Sequence, residues 1–339
     1  MRILMISDVY FPRINGVSTS IKSFRDELIT QGNEVTLIVP EYPDNKIDRY
    51  DDGDVIRIKS RQVIFDPEDR FMNKKDIMSH LHKLKDMQFD IIHIHTPFVA
   101  HYAGVKLAKV LNIPCVETYH TYFEEYLYHY IPFLPKAWLK ALARKYTRVQ
   151  CNDVNAVVVP SYAMQQALIG YGVKSDLSII PTGLNLDEYK PGDGDEFREQ
   201  YGIAKAQPLL VFVGRAAHEK NIDFLLHMLD QLRHRIPNVM LSITGEGPSL
   251  PHLKSLVRKL KLDKHVCFIG YLSRDKEIQA CYKAGDIFVF ASHTETQGLV
   301  LLEAMTCGTP VVSLAKMGTI DILKPEQGAI IAEDNTLDF

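Results

Sequence analysis

Apolar runs of strand length alternate with segments of helical periodicity along the whole chain. In the first half the runs are Ile3 to Ile6, Val35 to Val39, Ile91 to His95, Cys115 to Thr118, Ala156 to Val159 and Ser178 to Ile180. Between the first two, Ile21, Phe24, Leu28 and Ile29 recur at helical spacing behind a Ser/Thr-rich start, and Gly32 is placed to close the helix. Such alternation predicts βαβ units and a parallel sheet. The pattern loosens after Pro181-Thr182-Gly183 into a stretch from Asn185 to Asp195 that is rich in turn formers and charge, where the domain boundary is expected. It resumes with strands predicted at Leu209 to Val213, Met240 to Thr244, Val266 to Ile269, Ile287 to Phe290, Pro310 to Ser313 and Gly328 to Ile331. The fold class is therefore α/β, read as two facing Rossmann-like domains, 1–185 and 186–339, with a cleft between them.

Composition agrees with two cores. With 339 residues and 46% hydrophobic content, the chain is longer than one core usually serves. A net charge of −3 and a pI near 6.5 give no global attraction to nucleic acid, and no nucleic-acid partner is expected. Five cysteines, Cys115, Cys151, Cys267, Cys281 and Cys307, are spread without paired spacing in or beside apolar runs, which predicts reduced core thiols. The apolar start is too short for a signal peptide, and no stretch approaches the roughly 18 apolar residues of a membrane span. A soluble, cytoplasmic protein is the expectation.

Candidate chemistry collects after the predicted strands of the second half. Glu295 and Glu303 straddle the predicted start of a short buried helix near Gln297, which places the two carboxylates about 9 Å apart along its axis. That is about the reach of a diphosphate. One carboxylate could take sugar hydroxyls and the other a ribose diol, with the amides of Gly298, Leu299 and Val300 facing phosphate at the positive helix end. The strand Leu209 to Val213 runs into Gly214-Arg215-Ala216-Ala217-His218-Glu219-Lys220, which puts two cations at a strand's carboxyl end, where Arg215 and Lys220 can clamp a diphosphate. Thr244-Gly245-Glu246-Gly247-Pro248 is a glycine turn after the next strand, open either to close ligand approach or to simple packing. Neither half carries G-x-G-x-x-G after its first strand, which argues against a dinucleotide site. The triplets Asp52-Gly53-Asp54 and Asp193-Gly194-Asp195 fall in glycine turns and read as solvated turns, so no metal site is assigned.

Phe212-Val213-Gly214-Arg215 with Lys220, Gly245-Glu246-Gly247, and Glu295 to Glu303 followed by Ala304-Met305-Thr306-Cys307-Gly308-Thr309-Pro310-Val311-Val312 resemble the retaining glycosyltransferases of family 4, which have the GT-B fold. The resemblance runs in order and spacing from the Gly16 loop to Asp321. It implies that Glu295 contacts donor sugar hydroxyls, Glu303 the ribose, and Arg215 and Lys220 the diphosphate. It also implies that Gly16 borders the phosphates and that His120, in Thr118-Tyr119-His120-Thr121, sits beside the reacting carbon. Transfer of a hexose from a nucleotide diphosphate sugar with retention follows, with side-chain cations in place of a metal and no cofactor required. A protein nucleophile would need a second carboxylate near the anomeric carbon, about 5 Å away in the glycosidase case, which the spacing estimate disfavours. The second domain is expected to be truncated at its C-terminal end, because family members continue into helices that pack back on the first domain.

The acceptor is sought in the first half. The segment from Tyr119 to Leu134 is dense in aromatics with polar tips, which favour interfaces. Lys136, Lys140, Arg144, Lys145 and Arg148 then recur near helical spacing, with Trp138, Leu139 and Leu142 available for an apolar side, and Arg70, Lys74, Lys75, Lys83 and Lys85 extend the basic surface. A basic amphipathic helix suits an anionic membrane surface; an ordinary helix with Leu139 and Leu142 packed inward is the plainer alternative. This region, and Asp8-Val9-Tyr10-Phe11-Pro12 leading into Asn15-Gly16-Val17, also look like bacterial diacylglycerol glucosyltransferases. The resemblance implies glucose transfer from UDP-glucose to a diacylglycerol-type lipid at the inner membrane face, with Tyr122, Glu124, Glu125 and Tyr126 near the acceptor. Mannosyl transfer from GDP-mannose and N-acetylglucosaminyl transfer would use the same donor residues. A catalytically silent sugar-nucleotide sensor and a sugar-nucleotide epimerase are the readings of other classes.

Overall fold

The computed structural model describes residues 1–43, 54–62, 70–122, 124 and 135–339. The chain divides into two compact units, Met1–Gly183 and Leu184–Phe339. Each is built on a parallel sheet whose inner strands are mostly apolar and buried because both faces are covered.

In the first unit the strands are β1 (Arg2–Ile6), β2 (Glu34–Pro40), β3 (Val55–Ile58), β6 (Ile91–Ile94), β7 (Cys115–Thr118), β8 (Ala156–Val159) and β9 (Asp176–Ile179), in the order β3-β2-β1-β6-β7-β8-β9. A separate two-stranded antiparallel sheet pairs β4 (Ser60–Gln62) with β5 (Arg70–Met72) and is not foreshadowed by the apolar pattern. The register sets Ile3 beside Val35 on one side and Ile91 on the other. Leu4, Met5, Ile6, Leu37 and Ile38 are fully buried as a result. The helix Gly16–Thr30 starts in a capping box, with Asn15 Oδ1 accepting from Ser18 N and Ser18 Oγ from Asn15 N, both at 2.9 Å.

The second unit orders its strands β12-β11-β10-β13-β14-β15, where β10 is Leu209–Val213, β11 Met240–Thr244, β12 Val266–Gly270, β13 Ile287–Phe290, β14 Val311–Ser313 and β15 Ala329–Ile331. Phe212, Phe288 and Phe290 are fully buried and stack through its core, with ring centroids 6.0 and 6.1 Å apart. In both sheets the strand order reverses beside the first strand, at β1/β6 and at β10/β13. Ligands of doubly wound sheets bind outside the carboxyl ends of the strands at such a reversal.

The stretch expected to be a loose linker is largely structured. Leu186–Tyr189 forms a 3-10 turn and Gly194–Gln200 a helix, which bury Tyr189 and Phe197 in the second unit. Asp193 accepts from Asp195 N and Glu196 N, so the triplet Asp193-Gly194-Asp195 is a capped helix start. A Cβ on Gly192 or Gly194 would stand 2.6 or 2.7 Å from the backbone of the helix Glu277–Ala284. The turn-rich composition reflected a cap and a close backbone approach, two features that a loop shares. Asp52 and Gly53 of the other triplet lie outside the described residues. All five cysteines are free, and Cys115, Cys151 and Cys281 are buried.

Candidate functional site

The reversal at β10/β13 gathers most of the expected donor residues. The turn His218–Lys220 follows β10, and the loop leading to the helix Leu299–Thr306 follows β13. Three links join them: Ser292 Oγ donates to Glu219 O at 2.9 Å, Asn221 Nδ2 donates to Ala291 O at 3.1 Å, and Lys220 Nζ pairs with Glu295 Oε1. Lys220 and Glu295 are 16% and 15% exposed in their side chains, enough shelter to strengthen the pair while leaving it open to a ligand. Arg215 lies half-buried in the same loop. Gly318 N donates to Glu295 O at 2.9 Å, and a Cβ on Gly318 would stand 2.0 Å from Thr296 O, so the turn after β14 supports the Glu295 loop from behind.

The glycines have reasons of their own. Gly298 adopts φ +95 as the helix cap, and a Cβ there would meet the Thr319 methyl at 2.9 Å. Conformation and packing therefore require it, in addition to any clearance for a ligand. The helix Leu299–Thr306 begins two residues later than expected, without a side-chain cap or an acidic first turn, which suits its leading amides to an outside anion. At the other turn, a Cβ on Gly245 would fall 2.1 Å from Gly214 O, and one on Gly247 2.5 Å from Ala216 O. Ala216 N donates to Glu246 O at 2.9 Å. Close approach of the two loops explains Gly245 and Gly247, while the Glu246 side chain stays exposed.

Glu303 is fully buried. Arg274 Nη2 donates to its Oε1 at 2.9 Å and the Tyr282 hydroxyl to its Oε2 at 2.7 Å, while Arg274 Nη1 reaches the Tyr189 hydroxyl at 3.2 Å. The expected ribose contact therefore lies beneath Arg274. Arg274, Tyr282 and Tyr189 escaped the sequence reading because they are distant along the chain and belong to no spacing pattern.

In the first unit, Gly16 is exposed at the start of its helix. Asp8, just after β1, reaches across the β1/β6 reversal: its Oδ2 accepts from Thr96 Oγ1 at 2.9 Å and from Ala100 N at 3.0 Å, capping the helix Val99–Leu111, which has no cap of its own. Burial pushes its carboxyl up to about 7 against the pull of those bonds. His120 follows β7 and lies 3.2 Å from His95 through Nε2 and Nδ1. Burial lowers its pKa to about 3.

Glu124 is 3% exposed. It accepts from Arg144 at 2.9 and 2.5 Å and from the Tyr171 hydroxyl at 2.5 Å. Burial alone would raise its pKa, but the Arg144 and Tyr171 bonds hold it below its ordinary value. The structure thus shows Glu124 bound to Arg144 of the helix Lys136–Asn152 and to Tyr171. Tyr122 is half-buried nearby, and Glu125 and Tyr126 lie outside the described residues.

That helix turns Leu139, Ala143, Thr147, Gln150 and Cys151 inward. Trp138, Leu142 and Val149, spaced along its opposite side, are 75%, 58% and 50% exposed. Leu139 alone of the expected apolar trio packs inward. A recess of about 620 Å³ lies against the same helix, lined by Arg148, Asn152, Gly172, Lys174 and Ser175. Among the described residues, no helix is long and apolar enough to cross a membrane, and no cluster of three or more His, Cys, Asp or Glu side chains is arranged to hold a metal ion.

Two family models match the chain: Glycosyltransferase Family 4 over residues 14–188 and Glycosyl transferases group 1 over residues 193–339. The chain is 35% identical over 321 residues to an alpha-monoglucosyldiacylglycerol synthase of Streptococcus pneumoniae, covering 92% of this chain and 71% of that protein. It is 30% identical over 322 residues to the alpha-monoglucosyldiacylglycerol synthase of Acholeplasma laidlawii, covering 92% and 80%. Among solved structures, Anabaena HepE in complex with UDP and glucose superposes with a TM-score of 0.76 at 18% identity, covering 99% of this chain and 87% of that one. At that identity the likeness establishes the fold, the GT-B class of two Rossmann-like domains.

Proposed function

The chain belongs to glycosyltransferase family 4, and on that premise we propose that it moves glucose from UDP-glucose to a diacylglycerol-type lipid at an anionic membrane surface, with retention and without a metal ion. That it is a hexosyltransferase follows from the family and its named relatives. The observation that carries the donor half is the Lys220–Glu295 pair at the β10/β13 reversal. On this reading the donor diphosphate replaces Glu295 as the partner of Lys220, and Arg215 adds fixed paired donors. The amides of Leu299 and Val300 meet phosphate oxygens, and Glu295, released from Lys220, accepts from sugar hydroxyls. Positive charge at the departing diphosphate lowers the barrier where negative charge develops. The departing phosphate oxygen takes the acceptor proton on the same face, so no protein nucleophile is involved.

The choice of glucose and of a diacylglycerol rests on the relatives, both alpha-monoglucosyldiacylglycerol synthases by name. UDP is favoured further by its presence in a structure of the same fold. Peripheral attachment to the membrane is supported by the exposed Trp138, Leu142 and Val149 on a helix that also carries Lys145 and Arg148.

A thermal-shift panel of UDP, GDP, UDP-glucose and GDP-mannose, followed by transfer of labelled sugar to diacylglycerol in anionic vesicles, tests the proposal. UDP and UDP-glucose should stabilise the chain as RT ln(1 + [L]/Kd), and the labelled product should be an α-linked glucolipid. A larger response to GDP-mannose, with mannolipid formed, would replace the donor. No response to any nucleotide would overturn the site.

A further inference from the structure

Three imidazoles crowd the carboxyl ends of β6 and β7. His93 Nε2 lies 2.7 Å from Thr118 Oγ1, and the His93 and His95 ring centroids are 4.0 Å apart. His95 Nδ1 lies 3.2 Å from His120 Nε2, with the two rings within 21° of parallel. Phe24 packs beside them. His95 is 1% exposed, and its other nitrogen, Nε2, is buried with no hydrogen-bond partner among the described residues. Burial lowers the pKa of His93 to about 4, of His120 to about 3 and of His95 well below its ordinary value, so all three rings are neutral near pH 7.

A neutral imidazole carries one N–H and one bare nitrogen. With its proton on Nε2, His95 would strand a buried donor. With the proton on Nδ1, it donates to His120 Nε2 and strands only a lone pair. An orphaned buried N–H is the rarer fault in proteins, because an unmet buried donor loses its hydration without replacement. His95 is therefore the donor, and the proton of His120 resides on Nδ1.

We propose that His95 is a positioning residue that locks His120 in its Nδ1–H tautomer, so that His120 serves sugar transfer as a hydrogen-bond donor rather than as a base. The role in transfer rests on the function proposed above; the tautomer does not.

The experiment uses the full chain with ¹⁵N-labelled histidine, as wild type, His95→Leu and His95→Gln. Long-range ¹H–¹⁵N spectra assign the ring protons, and transfer kinetics are measured in parallel. Wild-type His120 should appear as the Nδ1–H form. In His95→Leu that form should give way to a tautomer mixture, and kcat should fall at least tenfold with donor KM and the thermal shift by UDP unchanged. His95→Gln, whose amide can donate in place of the ring, should restore most of kcat and the tautomer. An Nε2–H ring in the wild type, or equal loss in both variants, would overturn the proposal. If His95→Leu does not fold, the wild-type spectrum and His95→Gln still decide it. A wild type with the expected tautomer but no transfer would sink the functional reading and leave the assignment of the proton standing.

Discussion

Arg274 covers Glu303: its guanidinium donates to one carboxylate oxygen at 2.9 Å while the Tyr282 hydroxyl donates to the other at 2.7 Å, and no part of Glu303 reaches solvent. An acid expected to meet a ribose is thus held inside the second unit by a cation and a phenol. A ribose diol that engages it must share or displace Arg274, whose side chain is 24% exposed.

Removing either partner of Glu303 should destabilise the second unit. Tyr282→Phe leaves a buried carboxylate oxygen unmet and should lower stability by about 1–3 kcal/mol. Arg274→Met leaves a buried charge unpaired and should cost more, about 3–5 kcal/mol. Urea denaturation of the full chain measures both; equal midpoints for the two variants would contradict the ordering.

Lys220→Ala removes the cation at the β10/β13 reversal. A charge-assisted bond to diphosphate is worth about 1.5–3 kcal/mol, so the Kd for UDP should rise roughly 10- to 150-fold. Glu295→Ala should abolish transfer while UDP binding changes far less, because its proposed ligand is the sugar. Isothermal titration with UDP and transfer assays separate the two effects, and normal turnover in either variant would count against the site.

Acid should destabilise the first unit in a defined window. His93 and His120 have folded pKa values of about 4 and 3, below the unfolded value of 6.5. The unfolded chain therefore binds more protons between about pH 4 and 6.5, and stability falls as pH drops through that range. Asp8 works in the opposite sense. Its folded pKa of about 7 lies above the unfolded 3.8, so its contribution is fully present below about pH 4 and is lost as pH rises towards 7. Asp8→Asn, which can still accept from Ala100 N, removes this opposing slope. The variant's unfolding midpoint should rise more steeply from pH 4.5 to 7 than that of the wild type; parallel curves would argue against the burial assigned to Asp8.

Trp138 is the single tryptophan of the chain and is 75% exposed. Its emission should shift to the blue on addition of phosphatidylglycerol vesicles and stay unchanged with phosphatidylcholine. Since burying such a side chain contributes about 1.5–3 kcal/mol, Trp138→Ser should weaken sedimentation with anionic vesicles by roughly tenfold or more without altering thermal stability. A spectrum indifferent to anionic vesicles would remove the membrane from the proposal.

Much of the fold is legible in the sequence. Continuous apolar runs determined the strands, and helical spacing of Ile21, Phe24 and Leu28 determined the helix between the first two, because burial on a regular element leaves its period in the sequence. Strand ends carrying Arg215, Lys220 and Glu295 marked the candidate site for a similar reason: in parallel sheets, ligands bind where strands stop. Tertiary structure alone decided what those residues touch. The pairing of Lys220 with Glu295 joins positions 75 apart, and the Arg274–Glu303 contact depends on how a loop after β12 folds over a helix after β13. The same holds for the inward or outward turn of each side chain on the helix Lys136–Asn152, where Leu139 is buried and Leu142 is not. Periodicity records which positions are apolar, but which face meets a neighbour is set by packing between elements far apart in the chain, and local order along the sequence carries no imprint of it.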